Sequence, residues 1–170
     1  MTMPMTTDFY GSWTAVQKEK FAQIKRRLQP EMLEKIKKGA VLDVGCGNGL
    51  LQKEFDGHFV GVDVDEKMLA KSVSIFPCVI GDGSSLPFAD YSFDAVISVD
   101  AMHLIKGRDF ARVLKPGGIV LMAIFFNDSN YEERKQMLMD KLKGMKIIDE
   151  FTVNTKEKEY VVVAEKSGFE

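Results

Sequence analysis

The segment Val41-Leu42-Asp43-Val44-Gly45-Cys46-Gly47-Asn48-Gly49 constrains the fold more than any other part of this chain. A short β-rich run stops at three glycines set at alternate positions, and Leu50-Leu51-Gln52-Lys53-Glu54-Phe55 then has helix-forming composition. Strand, glycine turn and helix form the repeating unit of a parallel α/β sheet. Such a turn lets a ligand approach the backbone closely and aims helix N-terminal N–H groups at an anion. Two phosphate-binding patterns are excluded. A dinucleotide fingerprint, G-x-G-x-x-G, needs glycine where Leu50 stands, and a P-loop needs a Gly-Lys-Ser/Thr that does not follow.

The unit repeats along the chain. His58–Val62 reads as a strand leading to Asp63, Glu66–Ser72 as a helix, and Cys78–Ile80 as a strand ending at Gly81-Asp82-Gly83. Phe93–Val99 is a further strand, Lys106–Val113 a short helix, and Lys115-Pro116-Gly117-Gly118 a turn into the apolar strand Ile119–Phe126. Ahead of the glycine segment, Trp13, Val16, Phe21, Ile24 and Leu28 recur at helical spacing, and Gln29-Pro30 separates them from a second helical piece ending at Gly39. The tail predicts a helix over Tyr131–Lys143 and a hairpin of Lys146–Val153 with Glu159–Ala164, which adds an antiparallel edge. The expected fold class is therefore α/β: one three-layer, mostly parallel sheet. Residues 1–39 are a helical cap of the same domain and 40–170 its core.

Composition narrows the function classes. With 170 residues, 45% hydrophobic and 28% charged, the chain has the makeup of one ordinary globular domain. No apolar run approaches the roughly 20 residues of a membrane span, so no membrane role is expected. The start of the chain lacks the basic and apolar regions of a secretion signal. Cys46 and Cys78 alone cannot build a disulfide framework or a cysteine zinc site, His58 has no ligand-like spacing, and no metal is assigned. A reducing, cytoplasmic setting is the expectation. Residues 17–38 hold eight basic side chains against three acidic ones, within a chain of net charge −2. That run reads as a solvated helix face or as a surface for an anionic partner such as RNA.

Two further acids follow the glycine turn. Asp63, 20 residues beyond Asp43, ends the second strand, where a carboxylate can accept from both hydroxyls of a ribose. Asp82 ends the third strand between two glycines, where its carboxylate can accept from an adenine amine. Each acid alone also fits a loop or cap role. Together with the glycine turn they describe a nucleoside site without phosphates.

At these residues the chain resembles the class I S-adenosylmethionine-dependent methyltransferases, in the broad group acting on small molecules and some RNAs. The resemblance is carried by VLDVGCGNGLL (41–51), VGVDVDEKML (60–69), GDGSSLPFADYSFDAVIS (81–98) and RVLKPGGIVLMAI (112–124). It implies a Rossmann-like fold, S-adenosylmethionine as cofactor, S-adenosylhomocysteine as product, and methyl transfer to a small-molecule acceptor. By the same resemblance Gly45, Gly47 and Gly49 line the methionine end of the cofactor, with Asp43 near its amino group. Asp63 holds the ribose, Val64 and Met68 pack near the adenine, Asp82 and Gly83 bond to it, and Ser98 and Val99 close the site below the sulfonium.

For the acceptor, His103 and Asp100, which follow the fourth strand, are the candidate catalytic groups; a packing histidine and an N-cap are the alternatives. Tyr10 and Trp13 are candidates for an aromatic lid, Trp13 fitting the apolar face of its helix equally, and Asn127 is a candidate acceptor contact. The absence of Asn-Pro-Pro-Tyr or Asp-Pro-Pro-Tyr after the fourth strand disfavours the branches that methylate planar amide or adenine nitrogens. Two alternatives stand beside a small-molecule enzyme: a transfer-RNA methyltransferase using the basic segment, and a cofactor-binding subunit needing an activating or identical partner chain.

Overall fold

The computed structural model describes residues 7–71 and 76–168, with side chains described from Ser12 onward. Helices α1 (Thr7–Arg27) and α2 (Pro30–Lys38) precede β1 (Ala40–Val44), α3 (Leu50–Glu54), β2 (His58–Asp63), α4 (Glu66–Leu69), β3 (Cys78–Ile80) and β4 (Phe93–Val99). A 3₁₀ turn at Met102–Leu104 leads to α5 (Phe110–Val113), β5 (Leu114–Phe126), α6 (Tyr131–Lys141), β6 (Lys146–Asn154) and β7 (Lys158–Glu165). Seven strands form one sheet in the order β3-β2-β1-β4-β5-β7-β6. β1 to β5 run parallel, while β7 is antiparallel to both β5 and β6. The tail hairpin thus inserts its second strand beside β5 and leaves its first at the edge. Among the described residues, no helix is long and apolar enough to cross a membrane.

Alternation along the central strands divides the core into two layers. Ile119, Leu121 and Ala123 of β5 pack with Phe21, Ile24, Leu28, Met32 and Ile36 of the first two helices. Val120, Met122, Ile124 and Phe126 face the other way, onto Met102, Phe110, Leu138 and Leu142. The first two helices therefore share one core with the sheet, and Pro30 at the start of α2 sets the bend between them.

Three local expectations change. The turn expected at Lys115–Gly118 is a bulge inside β5: Phe93 pairs with Leu114 and Ala95 with Ile119. It is stabilised because Gly117 adopts φ +72° and, with Gly118, exchanges backbone hydrogen bonds with Lys166. The helix expected from Lys106 begins only at Phe110, and the one expected to reach Lys143 stops at Lys141. The connecting helices α3, α4 and α5 have only five, four and four residues.

Ile24 is almost fully buried between α1 and the sheet. Ile24→Ala should lower the unfolding free energy by roughly 2–5 kcal/mol. Urea unfolding followed by circular dichroism and by Trp13 fluorescence should give one coincident transition; two separated transitions would mean that the first two helices fold apart from the core.

Candidate functional site

Parallel strands deliver their carboxyl ends to one edge of the sheet, where two adjoining cavities of about 330 and 460 Å³ open. Gly45, Val99 and Asp100 line both. The larger is walled by Val62, Asp63, Val64, Gly81, Asp82, Gly83, Leu104 and Ile105. The smaller is walled by Asp43 and the glycine loop below, and by Trp13, Gln17 and Phe21 of α1 above, with Phe125 and Glu157 at the side.

The glycine loop is held by β2. Gly45 and Cys46 N–H groups donate to Val62 O at 2.8 and 3.2 Å, and Gly47 N–H donates to Asp63 Oδ2 at 2.8 Å. Asp63 Oδ1 accepts from Asp65 N–H at 2.9 Å. Asp63 therefore ties the loop to the second strand while lining the larger cavity. The expectation that the loop amides aim at an anion is corrected here. The amides of Gly45, Cys46 and Gly47 donate within the protein, that of Gly49 donates to Cys46 O at 3.1 Å, and α3 is a five-residue helix. Gly45 and Gly47 both have positive φ, and they differ in the space beside them: a Cβ on Gly45 would lie 2.3 Å from the Ala101 side chain, whereas one on Gly47 would meet only Met68, at 3.6 Å.

Asp43 is 4% exposed, and Gln52 Nε2 donates to its Oδ2. Burial pushes its carboxyl up to about 7, the Gln52 hydrogen bond opposing this and the charge of Asp63 adding to it. Asp82 is exposed, and the Ser84 N–H at 2.8 Å holds its carboxyl below the usual range. Burial, with Asp43 nearby, pushes the Cys46 thiol up, so it is no nucleophile.

The feature that sequence reasoning missed is Lys20. Its side chain is 0% exposed, and Nζ donates to Asp100 Oδ2 (2.8 Å), Glu159 Oε1 (2.9 Å) and Glu157 Oε2 (3.2 Å). Burial acts to lower the Lys20 pKa, and the Glu159 and Asp100 carboxylates outweigh it, holding the ammonium above its ordinary value. Glu159 is pushed up to about 8 by burial and the Asp100 charge, against the pull of Lys20. A signal existed: Lys20 falls between Gln17 and Ile24 at helical spacing, on the buried face. The carboxylates it meets lie more than 75 residues away, where no local pattern points to them.

Residues 42–122 match the family model described as "Methyltransferase domain". The malonyl-[acyl-carrier protein] O-methyltransferase of Erwinia pyrifoliae is 37% identical over 116 residues, covering 60% of this chain and 44% of that protein. The mitochondrial arginine-hydroxylase NDUFAF5 of Rattus norvegicus is 32% identical over 142 residues, covering 72% of this chain and 41% of that protein. A solved SAM-dependent methyltransferase of Methanosarcina mazei shares the fold, with TM-score 0.70 at 15% identity over 84% of this chain and 99% of that one. The chain carries a methyltransferase domain, and its fold is that of solved S-adenosylmethionine-dependent methyltransferases. It spans less than half the length of the two curated relatives named here.

The site fits the cofactor of a class I methyltransferase. Asp43 is a buried carboxylate on the cavity wall, and no Lys, Arg or His is among the described residues lining either cavity, so a ligand ammonium would supply the missing counter-charge. Asp63 and Asp82 face the larger cavity with acceptor oxygens, as a nucleoside requires.

Of the expected methyltransferase residues, Asp43, Gly45, Gly47, Asp63, Val64, Asp82, Gly83 and Val99 lie on these walls, as does Trp13 on the acceptor side. Met68 lies beside Gly47 in the smaller cavity, not with Val64 in the larger one. Gly49 caps α3 behind the loop.

Four expectations are corrected or fall outside. Ser98 is fully buried and donates to Val44 O at 2.9 Å, pinning β4 to β1 instead of lining a cavity. His103 lines neither cavity: the 3₁₀ turn sends Met102 into the core and Leu104 onto the larger cavity, and burial and the Arg134 charge lower the His103 pKa. Asn127 accepts from the Ser129 N–H and hydroxyl at the end of β5, away from both cavities. The Tyr10 side chain lies outside the described residues. Asp100 does line both cavities, at φ +56°, but its oxygens are held by Lys20 and by the Phe125 N–H at 2.7 Å, which disqualifies it as a free base.

Two outcomes are expected. Lys20→Met should cost about 3–5 kcal/mol by leaving the buried Glu159 unpaired, and adding Glu159→Gln should restore part of that in urea unfolding. Asp43, with a folded pKa near 7 against about 3.9 unfolded, binds its proton more tightly when folded. Its stabilising contribution is therefore full below pH 4 and lost as pH rises to about 7. The Tm of wild type relative to Asp43→Asn, measured without cofactor, should fall between pH 5 and 7 and level off above.

Proposed function

We propose that this chain transfers the methyl group of S-adenosylmethionine to a small-molecule acceptor. The observation that carries this reading is the pair of adjoining cavities meeting at Gly45, Val99 and Asp100, one suited to a nucleoside and the other opening under α1. Asp63 would hold the ribose hydroxyls, Asp82 the adenine amine, and Asp43 the amino group. When bound, the cofactor supplies an electrophilic methyl carbon: the acceptor lone pair bonds to it as the carbon–sulfur bond breaks, and that electron pair stays on a then neutral sulfur.

The protein's own contribution is position and exclusion of water. Trp13, Gln17 and Phe21 roof the acceptor side, and Phe125 walls it. Holding the reactants in line at contact distance supplies much of the acceleration in such a displacement. No free general base touches the junction of the cavities, since Asp100 is held on both oxygens.

A small acceptor is favoured over RNA by the fate of the basic segment 17–38. Lys20 is buried, Lys25 binds Glu54 O, Lys35 binds Gly117 O, Lys38 pairs with Glu34, and Arg27 stacks over Phe151. These side chains serve the fold. The relatives' names divide between a methyltransferase and a hydroxylase, so the reaction itself must be tested.

Titration calorimetry should show S-adenosylmethionine binding to wild type. It should show at least a roughly 100-fold loss in Asp63→Ala, which removes charge-assisted hydrogen bonds, and in Gly47→Val, which strains a positive φ. Labelled cofactor incubated with a metabolite collection should then give a methylated small molecule. Wild-type affinity in both variants would overturn the site. Binding without transfer to any metabolite, or with transfer only to transfer RNA or only after a partner protein is added, would overturn the small-molecule reading.

A further inference from the structure

The acceptor side of the site has a one-sided charge. Asp43, Asp100 and Glu157 line the smaller cavity, and no basic side chain is among the described residues lining either cavity. Lys20 pairs with two of these carboxylates, and it is committed. Its ammonium is fully buried and donates to Asp100, Glu157 and Glu159, one for each of its three hydrogens. One positive charge thus faces three carboxylates, and even with Glu159 protonated Asp100 and Glu157 exceed it by one.

Glu157 is the carboxylate best placed to meet a ligand. It stands in the turn between β6 and β7, its side chain is 31% exposed, and both donors that hold it, Lys20 and Gln17 Nε2, reach the same oxygen, Oε2. The same cavity is lined by the aromatic side chains of Trp13, Phe21 and Phe125. A carboxylate and aromatic rings lining one cavity form a receptor for an organic cation. For a carboxylate or phosphate the same walls offer repulsion and no counter-charge.

From this juxtaposition we propose that the methyl acceptor carries a protonated amine on an apolar body, and that Glu157 is the specificity-determining residue that receives it. This rests on the methyltransferase reading above. A bound ammonium must shed a proton before its nitrogen can attack. That proton passes to water, and the nitrogen lone pair then forms the bond to the methyl carbon. The product leaves as a methylammonium and the carbon–sulfur electron pair remains on sulfur. Anionic acceptors, nucleic acid included, are turned away by the same carboxylates.

The test uses the full chain saturated with S-adenosylhomocysteine, titrated at neutral pH with three probes of one shape: phenethylamine, phenethyl alcohol and phenylacetate. Phenethylamine should bind at least about tenfold more tightly than phenylacetate, and more tightly than the alcohol. Glu157→Gln should weaken phenethylamine about fivefold or more while leaving the alcohol within about twofold. If S-adenosylhomocysteine binds but the amine binds no better than the alcohol or the acid, or not at all, the amine proposal falls and the methyltransferase reading stands. If S-adenosylhomocysteine itself does not bind, the methyltransferase reading falls and takes this proposal with it. The wild-type comparison decides the matter even if the Glu157 variant folds poorly.

Discussion

The buried ammonium of Lys20 is the contact on which the geometry of this site depends. It joins α1 to the loop after β4 and to the hairpin β6–β7, three parts of the chain that share no local sequence signal. Its contribution to net stability is small, because removing Lys20 and Glu159 from water offsets most of the attraction. Its consequence is geometric. With Nζ satisfied at 2.8–3.2 Å by Asp100, Glu159 and Glu157, α1 can lie in only one way over the sheet edge, and Trp13, Gln17 and Phe21 become the roof of the cavity. Asp100 in turn is held at a positive φ by Lys20 on one oxygen and the Phe125 N–H on the other. A carboxylate that lines both cavities is thus positioned by a helix that precedes the sheet.

Much of the fold was legible because its information is local. Val41–Val44, His58–Val62 and Phe93–Val99 are short apolar runs broken by glycine or acid, and that pattern fits only strands buried on both faces. Once such strands are parallel, their carboxyl ends must fall on one edge, so Asp63 and Asp82 could be brought to the glycine turn from their positions alone, whereas Asp43, within β1, came from the resemblance. The errors lie where a residue's role depends on what packs across from it. Ser98 follows the same strand-end logic, yet the side of the strand it occupies points it at Val44 O. His103 was expected at the acceptor because it follows a strand, but a 3₁₀ turn rotates successive side chains by about a third of a circle, and the cavity receives Leu104.

Lys20 shows the same limit in a charged residue. Counted among eight basic side chains in residues 17–38, it reads as part of a solvated or nucleic-acid-facing surface. Helical spacing already sets it between Gln17 and Ile24, both buried. Composition pointed outward and periodicity inward, and periodicity prevailed because three carboxylates from distant segments were available to satisfy the charge. Two of those carboxylates, Glu157 and Glu159, lie beyond the stretch that carries the family motifs.

Four successive strands each bring a carboxylate to the same edge, and how each is satisfied orders their roles. Asp63 takes two backbone N–H groups and serves the loop as well as the cavity. Asp82 takes one from Ser84 in an exposed turn. Asp100 has a full ion pair. Asp43 alone is buried with only the neutral amide of Gln52 for company, and burial holds its carboxyl near 7. A ligand cation gains most where the protein has supplied least, since it restores the ionised form that burial opposes. On the proposed reading the positive amino group of the cofactor would meet Asp43, and the charge excess of the Lys20 cluster would be left for the cationic acceptor proposed above.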